Sequence, residues 1–400
     1  MILNASIVLV CVLVGLVLML PRVAGARIWR ATVTPLASII GSGFLVLGPI
    51  LDTHFGVWAP AVMALLCALA YGYGAVMRHN IAWLDSGTPQ DRLDHRLEQL
   101  GALALAFAYC VSVAYYLNLL GSFAVSLTDQ TAQQGAEQGR LVTSGVFLLI
   151  LLVGWTRGFG ALERLEEVSV GVKLAIIAGL LVALGWRFVD QAGAGALVLH
   201  LPDTVGWQAV TLVFGLLVTV QGFEITRYMG AEYDAGTRIR SMRYAQGLSA
   251  AIYMVYILFL TFLYQPGQAA LSETAIIAFT AQVAPVLPML LIAAALSAQF
   301  SAAVADTGGA GGLVAEVTGG RVPAHVVYAL LAAAGLLMTW GLSVFEIIGY
   351  ASRAFAFYYA LQSLIAARRA WHAGAGRRAL AFAALAALGA VIVVFGAGVE

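Results

Sequence analysis

Apolar runs long enough to cross a bilayer follow one another from residue 2 to residue 398, with only short polar or Arg-bearing loops between them. A helix needs about 20 apolar residues to span a hydrocarbon core of about 30 Å. Twelve stretches meet that need: 2–20, 31–51, 56–78, 99–127, 141–157, 167–187, 207–229, 244–264, 286–306, 324–341, 343–367 and 378–398. The composition agrees, with 62% apolar and only 10% charged residues, against roughly 25% charged for an ordinary soluble domain. A soluble globular enzyme and a disordered chain are both excluded. No long polar region separates the runs, so the pattern predicts one membrane domain without a soluble appendage. The first run lacks the basic start and small-residue cleavage site of a signal peptide and reads as a span.

The charges orient these spans. Twenty of the 21 basic residues are Arg, and Lys173 is the only Lys. With the N-terminus outside, Arg22, Arg27, Arg30, Arg78, Arg92, Arg96, Arg157, Arg164, Arg238, Arg240, Arg243, Arg321, Arg368, Arg369, Arg377 and Arg378 fall inside, and only Arg140 and Arg187 fall clearly outside. An asymmetry of that size follows the positive-inside rule. It predicts a multi-pass protein of a bacterial inner (plasma) membrane, N-terminus outside if residues 2–20 are retained. The net charge of +1 predicts no nucleic-acid partner. Three dispersed Cys and six scattered His show no metal-ligand spacing, so neither metal nor cofactor is expected. Residues 79–98, the most charged stretch, read as a cytoplasmic amphipathic helix. Residues 266–285 read either as a re-entrant external helix or as an ordered loop.

Two spans are interrupted at mid-depth. The second carries Gly41-Ser42-Gly43 at its centre, with Pro35 upstream. The seventh carries Gln221-Gly222-Phe223-Glu224. Gly costs about 1 kcal/mol relative to Ala inside a helix. Glu in hydrocarbon is costly unless it faces a cavity or a partner. Irregular backbone at membrane depth survives only when buried in protein or lining water. The breaks lie 181 residues apart, each opening a run of about five spans. Paired Gly-interrupted spans in corresponding halves point to an inverted-repeat transporter with its site at the breaks.

The same residues resemble a known family. GSGFLVLGP at 41–49 is similar to the first core helix of amino acid–polyamine–organocation (APC) superfamily transporters. GFEITRYMGAEYDAGTRIRSMR at 222–243 resembles that family's sixth core helix and the basic loop after it. Gly158 and Lys173, 15 residues apart, match its fourth-to-fifth-helix spacing, and VAEVTGGRVP at 314–323 resembles the loop after its eighth helix. Arg78, Ala235-Gly236 and the TGGAGG stretch at 307–312 depart from the common pattern and suggest an atypical branch. The resemblance implies an all-α polytopic membrane protein with a LeuT-type 5+5 inverted repeat, about 12 transmembrane helices, and core helices 1 and 6 interrupted. The implied units are 1–30 (an extra helix and loop), 31–190 (first repeat), 191–367 (second repeat) and 368–400 (a final helix).

A broken helix presents backbone N–H donors and the positive end of its dipole to a carboxylate. Ser42 and the N–H groups of Gly43 and Phe44 are therefore expected to hold a substrate carboxylate, with Ile40 and Gly41 beside them in the binding set. Free carbonyls around Val220 and Gln221 suit an ammonium group, with Gly222 beside them in the binding set. An α-amino acid carries both groups. Gly41 and Gly43 serving only close helix packing is the competing reading. Phe223 resembles the family's aromatic gate, with a plain core role as its alternative. Tyr115, or its neighbours Tyr109 and Tyr116, can close the pocket or simply pack.

Lys173 resembles a lysine whose ammonium stands where sodium-coupled relatives bind sodium. Carbonyls near Ile39 and Ile40 and the hydroxyls of Ser297 or Ser301 are its implied partners, and a snorkelling surface Lys is the alternative. Glu224 either pairs with Arg227 three residues on or meets substrate or protons. Glu346 and Arg353, seven apart, share a helix face and read as a structural pair.

The predicted function is a secondary transporter of an amino acid or related small amine, sodium-independent or proton-coupled. The alternatives are an ion transporter of the same fold and a non-transporting membrane sensor. Intramembrane His and Asp are too few for an enzyme site. The expected partners are a small-molecule substrate and membrane lipid. Oligomeric state is not legible.

Overall fold

A computed structural model describes residues 2–41, 43–89, 91–126, 128, 132–156, 160–264 and 271–399, without the side chains of 2, 132, 160–168 and 231. Ser42 and Gly158, and the side chain of Arg164, lie outside that description. The described residues form helices joined by turns and short irregular segments, with no strand among them. In chain order the helices are α1 (Ile2–Met19), α2 (Pro21–Ala24), α3 (Arg27–Gly41), α4 (Phe44–Phe55), α5 (Ala59–Asp85), α6 (Arg92–Val125), α7 (Ala132–Thr156), α8 (Gly160–Gly193), α9 (Gly206–Gly215), α10 (Ala235–Leu263), α11 (Ala275–Val283), α12 (Leu287–Val317), α13 (Ala324–Gly341), α14 (Val344–His372) and α15 (Gly376–Phe395). Among the described residues, eight helical stretches are long and apolar enough to cross a membrane.

Burial sorts these helices into a centre and a rim. α6 lies at the centre between α12 and α14, and its polar residues find partners there. Asn118 donates to the Ala114 carbonyl (2.8 Å) and the Thr339 hydroxyl (2.9 Å). Thr143 on α7 donates to the Leu117 carbonyl at 2.8 Å. Such pairing is what a polar group needs in an apolar interior. α4 is buried on nearly every side, as expected of a helix whose first eight residues are apolar all round.

The rim helices pack through small residues, which let helices approach closely where no hydrophobic force separates protein from lipid. α1 lies on α8, where a Cβ at Gly179 would stand 2.5 Å from Cys11 Sγ. α15 lies on α14, where one at Gly389 would stand 3.0 Å from the Ala356 carbonyl and from Ala360 Cβ. The outward faces keep exposed Leu9, Leu13 and Leu16 on α1 and Leu380 and Val394 on α15.

Two loop expectations are corrected or resolved. Residues 79–98 do not form a separate amphipathic helix. They are the last turns of α5 and the first turns of α6, joined by a short turn. Gly87, at φ +68°, and Pro89 stop the helix, and the Asp91 side chain restarts it by accepting from Asp94 N at 2.7 Å. Within 266–285 the structure forms the nine-residue helix α11, its Ile276, Ile277 and Phe279 buried. It packs on α12 and α4.

Candidate functional site

The interruptions of the second and seventh predicted spans face each other. α3 ends at Gly41 and α4 restarts at Phe44. α9 is only ten residues long and ends at Gly215. From there to the start of α10 the chain runs through 3₁₀ turns at Leu217–Val220, Phe223–Arg227 and Met229–Ala231. Both breaks depend on glycine. Gly222 has φ +118°, and a Cβ there would stand 2.6 Å from the backbone N of Ile39 and 2.7 Å from the Ser38 carbonyl carbon. A Cβ at Gly43 would stand 2.8 Å from Thr219 Cγ2 and 3.0 Å from Tyr115 Oη. The two irregular backbones are thus in direct contact.

Side chains from other helices satisfy the freed backbone groups. Tyr253 on α10 lies with its hydroxyl 3.0 Å from the Ile39 carbonyl and 2.7 Å from the Thr219 carbonyl, one from each break. Ser352 on α14 donates to the Gly215 carbonyl (2.6 Å) and accepts from Val218 N (2.9 Å), closing the end of α9. These are the external partners that irregular backbone needs at membrane depth.

The sequence-predicted residues distribute around this junction as follows. Lys173 is buried on α8, and its ammonium donates to the Ala37 carbonyl of α3 at 3.0 Å. It shares a cavity of about 20 Å³ with Ile40, Gly41, Phe44, Leu291 and Gln299. That volume holds about one water molecule. Ser297 on α12 turns its hydroxyl to Ser169 on α8 at 2.5 Å, and Ser301 lies one turn further along α12, half-buried.

Gln221 donates to the Tyr116 hydroxyl at 2.6 Å, while its carbonyl oxygen is buried without a partner. The Tyr115 hydroxyl is likewise buried and unpartnered at the Gly43 contact. Phe44 packs against Tyr256 and Tyr253, with ring centroids 4.4 and 5.5 Å apart. Phe223 stacks on Tyr359 at 5.3 Å. Val220 is buried at the end of its 3₁₀ turn.

Two expected ion pairs are replaced by other contacts. Glu224 does not meet Arg227. Its Oε2 accepts from Gly222 N and from the Tyr359 hydroxyl, both at 2.9 Å. A 3₁₀ turn puts the two positions on one face, but Glu224 turns back to the freed Gly222 N–H at the break, and Arg227 finds a carboxylate on α6. Arg227 instead donates to Glu98 on α6 at 2.5 Å and to Gln362 on α14 at 2.7 Å. Glu98 also accepts from Arg369 at 2.9 Å, and the Arg369 guanidinium lies over the Trp83 ring at 3.9 Å. Glu346 and Arg353 likewise stay apart. Glu346 forms a capping box with Ser343, and Arg353 donates to the Gly396 carbonyl at 2.6 Å.

The Glu98 cluster joins α5, α6, α14 and the second break at the end of the bundle where the Arg-rich loops lie. There Arg368 bonds Asp91 and, at 3.0 Å, Asp94. The Asp94 N–H, with the Arg368 guanidinium, holds the exposed Asp91 carboxyl below the usual carboxylate range.

Sequence reading passed over several of these residues. Tyr253 and Ser352 look like ordinary polar residues in apolar spans. Asp306 does not, because it is a lone carboxylate within an apolar run. It is buried on α12 and accepts a hydrogen bond from Ser112 on α6.

The sequence matches the family described as APC superfamily transporter over residues 21–396. It is 39% identical, over 392 residues, to an uncharacterised protein of Aquifex aeolicus (strain VF5), covering 95% of this chain and 93% of that one. That family is one of transporters, not enzymes. The two facing broken helices thus sit in an integral membrane protein that belongs to the APC superfamily of transporters.

Proposed function

We propose that the chain is a secondary transporter of an amino acid or a related small amine, working by alternating access. The reading folds residues 31 to about 367 as two inverted five-helix repeats, with α1 before them and α15 after them. The observation that carries it is the contact between the two breaks, where Gly43 meets Thr219 and Gly222 meets Ser38 and Ile39. The N-terminus of α4 offers N–H donors to a carboxylate, and carbonyls of the second break offer acceptors to an ammonium. Ile40, Gly41, Ser42, Gly43, Phe44, Val220, Gln221, Gly222, Phe223 and Tyr115 are the proposed binding residues. In the conformation described, the Glu98–Arg227–Arg369 cluster closes the Arg-rich end, which is cytoplasmic by the positive-inside rule.

Lys173 is the proposed coupling residue, with Ser297, Ser301 and Glu224 near the pathway. Its ammonium lies on the α3 carbonyl of Ala37, where a fixed positive charge substitutes for a bound cation. Transport is then independent of sodium. A thermal-shift screen of amino acids, polyamines and small organic cations, with and without sodium, tests this. A ligand at 100 times its Kd stabilises the fold by about 2.7 kcal/mol. A sodium-independent shift with one amino-acid or amine class, weakened in Lys173→Gln, is the expected result. A shift that requires sodium, or one given only by an inorganic ion, would overturn the reading.

A further inference from the structure

The far end of α4 carries titratable side chains that the junction of the breaks does not use. Asp52 is wholly buried, and neither carboxylate oxygen accepts a hydrogen bond. A close polar neighbour is the His200 ring, whose Nε2 lies 3.6 Å from Oδ2. That same nitrogen lies 2.8 Å from the main-chain oxygen of Asp52. A carbonyl only accepts, so the proton belongs on Nε2 in this arrangement. His200 Nδ1 is buried without a partner. His54 contacts the Thr204 hydroxyl through Nδ1 at 2.8 Å, and its Nε2 is also buried and unpartnered.

Asp203 faces His54, and Tyr256 and Tyr264, at the near end of α10, face Asp52. α11, which also packs on α4, and the first two turns of α5 contribute no titratable side chain.

His200 lies in the extended segment 198–205, which joins α8 to α9. The segment is stitched to the end of α4 by backbone bonds from Val57 N to the His200 carbonyl and from Thr204 N to the His54 carbonyl, both 3.1 Å. Gly56, at φ +50°, allows the approach. The segment therefore ties the second half of one broken helix to the first half of the other.

We propose that Asp52 and His200 form a proton-binding site that latches segment 198–205 onto α4. With one proton the pair is neutral overall, as carboxylic acid beside neutral imidazole or as carboxylate beside imidazolium. Without it, a bare carboxylate is left buried with no donor, which is strongly unfavourable. When the segment lifts, the Asp52 carboxyl is hydrated and releases its proton at an ordinary value, about 3.9. The latched state thus holds a proton that the open state does not, so proton uptake favours the latch and rising pH releases it. By the charge asymmetry this end faces outside, where proton capture would accompany closure of the outer pathway. That role rests on the transporter reading, but the latch itself does not.

Hydrogen–deuterium exchange of the full-length protein in nanodiscs, corrected for the intrinsic base-catalysed rate, tests the latch without any substrate. Protection of peptides covering 54–58 and 198–205 is expected to fall about tenfold or more between pH 6 and pH 9, one pKa unit being a factor of ten. Peptides of α6 should not change. Asp52→Asn keeps the shape without the charge and should stay protected throughout. If that variant fails to fold, His200→Gln removes the imidazole and should move the transition midpoint by about one pH unit or more. Flat protection in the wild type, or a variant with the wild-type transition, would overturn the proposal.

Discussion

Replacing Gly222 by Ala isolates the contact between the two breaks. The added Cβ would meet the Ile39 nitrogen at 2.6 Å and the Ser38 carbonyl carbon at 2.7 Å, both backbone atoms that no rotamer change can move. The residue must also hold φ +118°. A left-handed backbone costs a non-glycine residue about 1–2 kcal/mol, and overpacking a tight site adds about 1–3 kcal/mol. The sum is about 2–5 kcal/mol. An unfolding entropy of about 2.1 cal/mol/K per residue converts that to a Tm loss of about 2–6 °C for a chain of this length. Gly247 is the control, because it lies within α10 with no atom near the position of a Cβ. There Ala should gain about 0.5–1 kcal/mol from helix propensity. Thermal unfolding followed by tryptophan fluorescence reads both variants. Ser38→Gly added to Gly222→Ala should recover less than half the loss, since Ile39 N and the Ser38 backbone remain in place. A Gly222→Ala protein as stable as the Gly247→Ala protein would refute the argument that the breaks are pressed together here.

Three further perturbations follow from the same geometry. Glu98→Gln leaves Arg227 and Arg369 buried without their shared carboxylate, and denaturation should report a loss of about 3 kcal/mol. Ser352→Ala removes the hydroxyl that closes α9, which should cost about 1–3 kcal/mol and raise exchange at Val218 N. The lowered Asp91 carboxyl contributes stability that is present above its unfolded value of about 3.9 and lost as pH falls through the folded one. The Tm difference between wild type and Asp91→Asn should therefore shrink on acidification to about pH 3, and a constant difference would contradict that assignment.

Much of the architecture was legible because its signals are local. Apolar length and the Arg distribution mark the spans, and Gly-Ser-Gly and Gln-Gly-Phe-Glu mark breaks that are visible without any tertiary knowledge. The side-chain partners were not legible, because they are set across helices. Glu224 sits three residues from Arg227, yet Arg227 takes Glu98, 129 residues away in sequence, because Glu224 is held by Gly222 N and the Tyr359 hydroxyl while α6 brings Glu98 to the break. Tyr253 and Ser352 carry no sequence mark of the backbone groups they satisfy. Residues 79–98 misled because the polar ends of two long helices, joined by a turn, resemble one amphipathic helix in composition. Asp52 and His200 drew no notice, since 148 residues separate them and neither forms a recognisable motif.

Counterflow in sodium-free proteoliposomes tests the central claim most directly. Vesicles carrying the purified protein are loaded with the amino acid or amine that gives the largest thermal shift, then diluted into a trace of the same compound with a radiolabel. Alternating access at the facing breaks predicts transient accumulation of label, absent in protein-free vesicles and reduced in Gly43→Val, whose side chain would fill the contact with Thr219 and Tyr115. A compound that binds and stabilises the protein but gives no counterflow would contradict the account and leave a binding protein on a transporter fold.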